Sequence, residues 1–173
     1  YDYVSGKLIV TDGVYSMTGA IAKLDKIVAL AKKYNARVMV DDAHGIGVLG
    51  KTGRGTADHF NVMKDVDIIM GTFSKSFASL GGFIVADKDI IHYVKHHARS
   101  FIFSASMPPS AAATVIAVLD LIENDDSHVQ KLWENTRKMK KGLDELGYNT
   151  APSQTPIIPI NVGDDLRTFF FAK

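Results

Sequence analysis

The chain has 173 residues, of which 46% are hydrophobic and 23% are charged, with a net charge of +1. These values are ordinary for a globular protein that can bury a core, and they provide no electrostatic reason to expect binding to nucleic acid or to an anionic membrane surface. The absence of cysteine excludes disulfides, zinc–cysteine sites and thiol nucleophiles, and it fits a reducing compartment such as the cytoplasm. No apolar run approaches about 18 residues, so no membrane-spanning segment is predicted.

The predicted elements follow one another as strands and helices. In chain order they are a strand at 7–14, a helix at 24–34, strands at 37–42, 66–74 and 81–87, a helix at 88–98, an extended run at 100–106, helices at 109–124 and 127–147, a strand at 155–163 and the first turns of a helix at the end. The strands are continuous apolar runs rather than alternating ones. This pattern predicts an α/β fold with a mostly parallel sheet that is covered on both faces.

Polar side chains follow three of the predicted strands. They are Ser16, the segment 41–44 and the segment 72–75. In sheets of this kind, ligands bind beyond the carboxyl ends of the strands. We therefore expect these three clusters, which are far apart in sequence, to converge in space.

Two glycine-containing motifs suggest functions that the surrounding sequence does not support. Residues 45–50, GIGVLG, match the dinucleotide-binding pattern, but the helix that should follow is replaced by KTGRG, which favours a surface loop. Residues 51–53, KTG, occur in penicillin-binding enzymes, but this chain has neither the S-x-x-K nor the S-D-N motif of those enzymes.

A metal site and a serine hydrolase are also not favoured. His92, His96 and His97 lie on one predicted helix, but no H-E-x-x-H motif accompanies them, so a solvated helix face is the preferred interpretation and no metal site is predicted. The chain has no G-x-S-x-G motif, which argues against a nucleophilic serine of the hydrolase type.

Asp41 and Lys75 together meet the requirements of a pyridine cofactor such as pyridoxal phosphate. Taken singly, Asp41 is better interpreted as a helix cap or a loop acid, and Lys75 as a charge that stands there by chance. However, pyridoxal phosphate requires a carboxylate at its ring nitrogen, a lysine amine that bonds to its aldehyde, and hydroxyls and amides around its phosphate. Asp41 and Lys75 supply the first two, and Ser16, Thr72 and Ser74 supply hydroxyls.

Four segments in this order and spacing resemble the central part of the α-oxoamine synthases: GVYSMTG (13–19), VMVDDAHGIGVLGKTGRG (38–55), MGTFSKSFASLGGF (70–83) and FIFSASMPP (101–109). These are pyridoxal-phosphate enzymes of the aspartate-aminotransferase fold. The resemblance implies that residues 1–147 form part of the large domain, with its seven-stranded type of sheet, and that 148–173 begin the small α+β C-terminal domain. Family members are longer, so the chain is expected to be a central fragment.

The resemblance also implies roles for individual residues around the cofactor ring. Lys75 would bond to the aldehyde and later carry the Cα proton of the substrate. Asp41 would contact the pyridinium nitrogen, Ala43 would pack on the ring face, and His44 would bind the phenolic oxygen and the substrate. Ser16 would lie near the same oxygen.

Further polar contacts are implied for the phosphate. Thr72 would bind it, and Ser104 would reach the phosphate of a neighbouring subunit, so the active unit would be a homodimer. One departure from the family pattern is Thr18, which stands where an acidic residue is common. An upstream histidine and a downstream arginine of the family's site are not in this sequence, so the piece alone is expected to be inactive.

The implied reaction is the decarboxylating condensation of an amino acid with an acyl-CoA. The segment TFSKSFASLGGF is most similar to the bacterial serine palmitoyltransferase branch, which implies L-serine and a long-chain acyl-CoA as substrates and a product like 3-ketosphinganine. Alternatives are 8-amino-7-oxononanoate synthase or 2-amino-3-ketobutyrate CoA ligase activity, a fold type I aminotransferase or lyase, and a non-catalytic partner subunit. The presence of Lys75 argues against the last of these.

Overall fold

A computed structural model describes residues 6–173, so the first five residues of the predicted large domain lie outside the described part. The elements, with their observed bounds, are β1 (Lys7–Asp12), α1 (Leu24–Lys33), β2 (Ala36–Asp41), α2 (Thr56–His59), β3 (Ile68–Thr72), β4 (Gly82–Ala86), α3 (Lys88–His97), α4 (Arg99–Ile102), α5 (Pro109–Asn124), α6 (Ser127–Glu145) and α7 (Asp165–Phe171). The first four predicted strands and all the predicted helices are confirmed, with small changes of bounds.

The four strands form one sheet in the order β1-β2-β3-β4. The strands β1, β2 and β3 are parallel, whereas β4 is antiparallel to β3. An antiparallel strand at the end of an otherwise parallel sheet is common in α/β proteins. The predicted fold class, α/β with a mostly parallel sheet, is therefore confirmed.

The main core lies between α1 and one face of the sheet. Leu24, Val28 and Ala31 recur at helical spacing along α1 and pack against Val38 and Val40 of β2. This spacing places them on one side of the helix, because positions three and four residues apart share a face. Burial of this stripe holds the helix on the sheet and fixes the direction in which β2 enters the site.

A second, smaller core lies under the loop between β3 and β4. Phe73 and Phe77 from that loop pack against Val115 of α5, with Ile46 and Phe83 at the edge of the cluster. The rings of Phe73 and Phe77 meet edge to face, with centroids 5.3 Å apart. The loop that contains Lys75 is thus held from below by α5.

The opposite face of the sheet is less covered than the sequence predicts. Leu8 and Val10 of β1 point away from α1, and each is more than half exposed. The expectation of cover on both faces therefore holds only in part for residues 6–173. Within the same residues, none of the helices combines the length and the apolar character needed to cross a lipid bilayer.

The extended run predicted at 100–106 is wrong. Residues Arg99–Ile102 form the short helix α4, and residues 103–108 have no regular structure. The backbone N–H of Ile102 donates to the carbonyl of Ala98, and that of Phe103 donates to Arg99, so these groups are satisfied locally. The apolar, β-prone composition favours a strand, but a strand needs an adjacent strand edge, which this segment does not reach.

The strand predicted at 155–163 is also wrong. The segment is irregular, and it contacts the loop after β1, where the Thr155 hydroxyl donates to the Gly19 carbonyl at 3.0 Å. Pro156 and Pro159 lack the backbone N–H that a strand ladder requires. The apolar side chains of the segment are therefore partly buried by packing without strand pairing.

Replacing Leu24 with alanine tests the main core. Because Leu24 is fully buried, at 0% exposure, Leu24→Ala should lower the free energy of unfolding by about 2–5 kcal/mol. Leu30→Ala is the matched control in the same helix, since Leu30 is 52% exposed and should cost far less. Denaturant unfolding of both variants gives the comparison, and equal losses would contradict the assigned packing.

Candidate active site

The carboxyl ends of β1, β2 and β3 meet at one edge of the sheet. Asp12 and Asp41 are register partners, and Asp41 is also the partner of Met70. The pairing continues beyond the strands, because the Gly13 N–H donates to the Asp41 carbonyl and the Asp42 N–H donates to the Met70 carbonyl, both at 2.8 Å. The expected convergence of strand ends is thereby confirmed for the segments that follow β2 and β3.

Asp41 is half-buried at this edge. Its Oδ1 accepts a hydrogen bond from the backbone N–H of Ala43 at 3.1 Å, which fixes the carboxylate by a local turn. Within residues 6–173, no hydrogen bond is formed by Oδ2. One oxygen thus orients the carboxylate of Asp41, and the other can accept a hydrogen bond from a group outside the chain. Ala43 itself is half-buried beside it.

Asp42, which the sequence interpretation did not single out, points into the protein. It is 1% exposed, and its two oxygens accept from the backbone N–H and the hydroxyl of Thr56 at 2.7 and 2.6 Å. A Cβ at Gly13, Gly45 or Gly55 would collide with the Asp42 carboxylate. Burial raises the pKa of Asp42, the bonds from Thr56 oppose that rise, and the charge of Asp41 adds to it.

His44 lies among the charged groups of the site. Partial burial and the cation of Lys75 lower its pKa, while the carboxylates of Asp12 and Asp41 act in the opposite direction. Asp12, Asp41 and Lys75 belong to or directly follow the three parallel strands, so the charges that act on the pKa of His44 come from all three strand ends. Asp12 was missed from the sequence, although its position at the end of a buried strand was the available signal.

Lys75 lies in the turn between β3 and β4, with its side chain exposed. The phenylalanines two residues to either side are buried, so the backbone of the turn is held while the side chain of Lys75 is exposed. The turn closes with hydrogen bonds from the Ala78 N–H to the Lys75 carbonyl at 3.0 Å and from the Ser79 N–H to the Phe73 carbonyl at 2.8 Å. Ala78 has a φ of 47°, a left-handed conformation that the tight turn imposes.

Two of the predicted hydroxyls lie next to Lys75. Thr72 and Ser74 have their side-chain oxygens 2.9 Å apart, and the Ser74 N–H donates to the Thr72 hydroxyl at 3.2 Å. Together they present two hydroxyls at the end of β3. Such a pair can bind an anionic group such as a phosphate.

The structure does not connect the other two predicted serines with this cluster. Ser16 is exposed in the turn after β1, and Ser104 is exposed in the irregular segment after α4. Neither has a recorded hydrogen bond to Asp41, Thr72 or Lys75 within the described part of the chain. Their predicted roles therefore stay predictions.

The structure also shows the segments that suggested a dinucleotide site and a metal site. Residues 45–55 form a loop without a helix, as expected, and the next helix begins only at Thr56 and has four residues. His92, His96 and His97 are exposed on α3, which confirms the solvated helix face. Across residues 6–173, no group of three or more histidine, aspartate or glutamate side chains is arranged to hold a metal ion.

Comparison with known proteins gives consistent matches over nearly the whole chain. The sequence profile of the family "Aminotransferase class I and II" matches residues 3–173. A serine palmitoyltransferase from Bacteriovorax stolpii is 58% identical over 166 residues, which cover 96% of this chain and 40% of that protein. An 8-amino-7-oxononanoate synthase from Treponema denticola is 48% identical over 166 residues, which cover 96% of this chain and 42% of that protein.

A solved structure shares the fold. A serine palmitoyltransferase with PLP as its internal aldimine superposes with a TM-score of 0.79 and 40% sequence identity over 83% of this chain and 36% of that chain. The present chain therefore spans about two fifths of the length of the relatives that it matches.

The buried carboxylate of Asp42 provides a pH test. Its pKa is higher in the folded state than in the unfolded state, so the folded protein binds more protons, and this group lowers stability as the pH rises from about 4 towards 7. Asp42→Asn keeps an acceptor for the Thr56 N–H and removes the ionisation. We expect the melting temperature of the unmodified protein, relative to the variant, to fall over this range.

The control for this test is Asp25→Asn, which neutralises an exposed acid in the first turn of α1. Its melting temperature relative to the unmodified protein should change much less with pH. A constant difference between Asp42→Asn and the unmodified protein from pH 4 to 7 would show that burial does not perturb this carboxyl.

Proposed function

Since the chain belongs to the class I and II aminotransferase family, we propose that it is the central part of a pyridoxal-phosphate enzyme that condenses L-serine with a long-chain acyl-CoA. The observation that carries the proposal is that the segment with Asp41 and His44 and the turn with Lys75 follow two paired parallel strands, β2 and β3, at the same edge of the sheet. The similarity to serine palmitoyltransferases, at 58% identity for one of them, supports the same assignment.

The groups at this edge fit pyridoxal phosphate. Asp41 offers a carboxyl group, oriented by the Ala43 N–H, that would contact the pyridine nitrogen. Thr72 and Ser74 offer hydroxyls for the phosphate. Ala43 lies between Asp41 and His44 and would face the ring.

The bound cofactor would supply an electron sink that makes the Cα–H bond of the amino acid acidic. The amine of Lys75 would hold the cofactor through a covalent bond to its aldehyde until the amino group of the substrate replaces it. The released amine of Lys75 would then accept the Cα proton. Its exposed position on a turn with a buried base suits a group that must move between these two tasks.

His44 would orient the cofactor and the substrate. Burial and the neighbouring Lys75 lower its pKa, which favours the neutral form of its imidazole. A neutral ring can form hydrogen bonds with the phenolic oxygen of the cofactor and with the substrate. It also adds no second positive charge beside the amine of Lys75.

The condensation forms a bond between the Cα of the amino acid and the thioester carbonyl carbon, and the CoA thiol leaves. The carboxylate of the amino acid then leaves as carbon dioxide. L-Serine is favoured as the amino acid because the similarity to the Bacteriovorax stolpii serine palmitoyltransferase exceeds that to the Treponema denticola 8-amino-7-oxononanoate synthase, at 58% against 48% identity. The second activity remains the alternative, since its representative matches the same share of the chain.

The domain division and the assembly belong to the same proposal. Residues 1–147 would be part of the large domain, and 148–173 would begin a small domain, which is consistent with the end of α6 at Glu145. Ser104 would complete the phosphate site of a partner subunit in a cytoplasmic homodimer. Its segment is exposed and follows three exposed apolar side chains, Phe101, Ile102 and Phe103, which suits an interface.

The covalent role of Lys75 can be tested in the full-length protein. Lys75→Ala should abolish turnover. It should also abolish the permanent attachment of the cofactor to the protein after borohydride reduction, because no amine remains to bond to the aldehyde. Absorbance spectroscopy and peptide mapping after reduction give the result. Lys51→Ala is the control, since Lys51 is an exposed lysine of the loop 45–55. Turnover by Lys75→Ala at the rate of the unmodified protein would refute the mechanism.

The substrate assignment can be tested with a panel of amino acids and acyl-CoA thioesters. Release of free CoA thiol should be fastest with L-serine and a long-chain acyl-CoA, with a 3-ketosphinganine-like product detected by mass spectrometry. A preference for a different amino acid with a product of nine carbons would instead favour 8-amino-7-oxononanoate synthase activity. Amino-group transfer without thiol release would indicate an aminotransferase.

A further inference from the structure

We propose that Ser76 is a positioning residue for Lys75 and that it acts through the glycine-rich loop, residues 45–55. The Ser76 hydroxyl donates to the backbone carbonyl of Ile46 at 2.9 Å. This bond joins the residue after Lys75 to a loop that starts directly after His44. The inference rests on the proposed role of Lys75 and adds a device that determines where its amine lies.

The glycine-rich loop is built as a closed unit. The Gly47 N–H donates to the Gly53 carbonyl at 2.7 Å, and the Gly55 N–H donates to the Leu49 carbonyl at 2.9 Å. Both ends of the loop are held by Asp42, whose carbonyl accepts from Ile46 at 3.0 Å and whose carboxylate binds Thr56. A loop closed in this way can hold the groups that bond to it.

The contact with Ser76 requires glycine on the loop side. Gly47 has a φ of 80°, and a Cβ added there would lie 2.5 Å from the Cβ of Ser76. Real Cβ atoms do not approach so closely, so only glycine allows the two backbones to come together. The close approach and the hydrogen bond are two independent features of the same contact.

A long helix secures the outer side of the loop. The indole Nε1–H of Trp133, on α6, donates to the Val48 carbonyl at 2.9 Å. The carbonyls of Ile46 and Val48 therefore each accept a hydrogen bond from a side chain. One comes from the turn that contains Lys75, called the lysine turn, and the other comes from α6. The position of the lysine turn is thus linked to the helix that precedes the proposed second domain.

This arrangement explains how an exposed lysine can be well placed. The buried rings of Phe73 and Phe77 hold the base of the turn, and the three residues between them are exposed. The Ser76–Ile46 bond adds a lateral restraint towards His44. Catalytic amines depend on such placement, because a misplacement of about 1 Å can cost about 100-fold in rate.

The test uses the full-length protein with four variants, of which Gly47→Ala is described below. Ser76→Ala removes the hydroxyl and retains the Cβ. Lys75→Ala is the reference for loss of the covalent step. Thr114→Ala is the matched control, because it deletes an exposed side-chain bond of the same kind, from Thr114 to the Ser110 carbonyl at 3.0 Å within α5.

Two readouts are measured on each variant. The first is the rate of covalent capture when pyridoxal phosphate is added back after its removal, and the second is kcat and KM for the amino acid with the cofactor bound. Ser76→Ala should slow capture and lower kcat by between about 10- and 100-fold, with KM nearly unchanged. Thr114→Ala should behave as the unmodified protein. Gly47→Ala, which pushes against Ser76, should also slow capture and serves as the second variant if Ser76→Ala folds poorly.

The outcomes separate this inference from the proposed function. If Lys75→Ala is inactive and Ser76→Ala captures the cofactor at the unmodified rate, the positioning role is refuted and the proposed function stands. A lower kcat without slower capture would also refute positioning. If Lys75→Ala captures the cofactor and turns over, the proposed function itself fails.

Discussion

The carboxylate of Asp42 is buried against three glycines and binds both the backbone N–H and the hydroxyl of Thr56. The arrangement of the site depends on this contact, because it holds the two ends of the loop 45–55 together. The Asp42 N–H also donates to Met70, which joins β2 to β3 at the edge where the lysine turn begins. A buried carboxylate is costly unless its oxygens are bonded, and Thr56 supplies both bonds from one residue.

The neighbouring acids divide two tasks between them. Asp42 faces the interior and holds the loop, while Asp41 is half-buried at the sheet edge, where the proposed function gives it the cofactor as a partner. Successive residues at the end of a strand point in opposite directions, so two adjacent aspartates can serve structure and chemistry at once. Two further contacts, at Ser76 and at Trp133, extend the same support to Lys75 and to α6.

The sequence predicted the elements whose patterns are local. Continuous apolar runs identified β1 to β4, and helical spacing identified α1, α3, α5 and α6. The prediction failed at 100–106 and 155–163, where an apolar composition was interpreted as strand. Strand formation depends on an adjacent strand edge, and composition does not reveal whether one is available.

The residues of the candidate site divide in the same way. Asp41, Thr72, Ser74 and Lys75 could be selected from the sequence, because they follow buried strands and supply the groups that a pyridine cofactor needs, whereas the role of His44 came from the resemblance to the α-oxoamine synthases. Asp12 and Asp42 were missed, because neither completes a motif and their importance comes from register and burial. The support given by Ser76 and Gly47 was equally hidden, since it depends on a contact between residues about 30 positions apart.

By itself, the sequence determined the α/β class, the strand ends that bear polar groups and the residue types available for cofactor chemistry. These follow from short-range periodicity and from side-chain chemistry, which neighbouring residues encode. The tertiary structure alone decided which acid faces inward, how His44 comes to lie among Asp12, Asp41 and Lys75, and what holds the lysine turn in place. Those outcomes arise from strand register and from packing between distant segments, which no local pattern specifies.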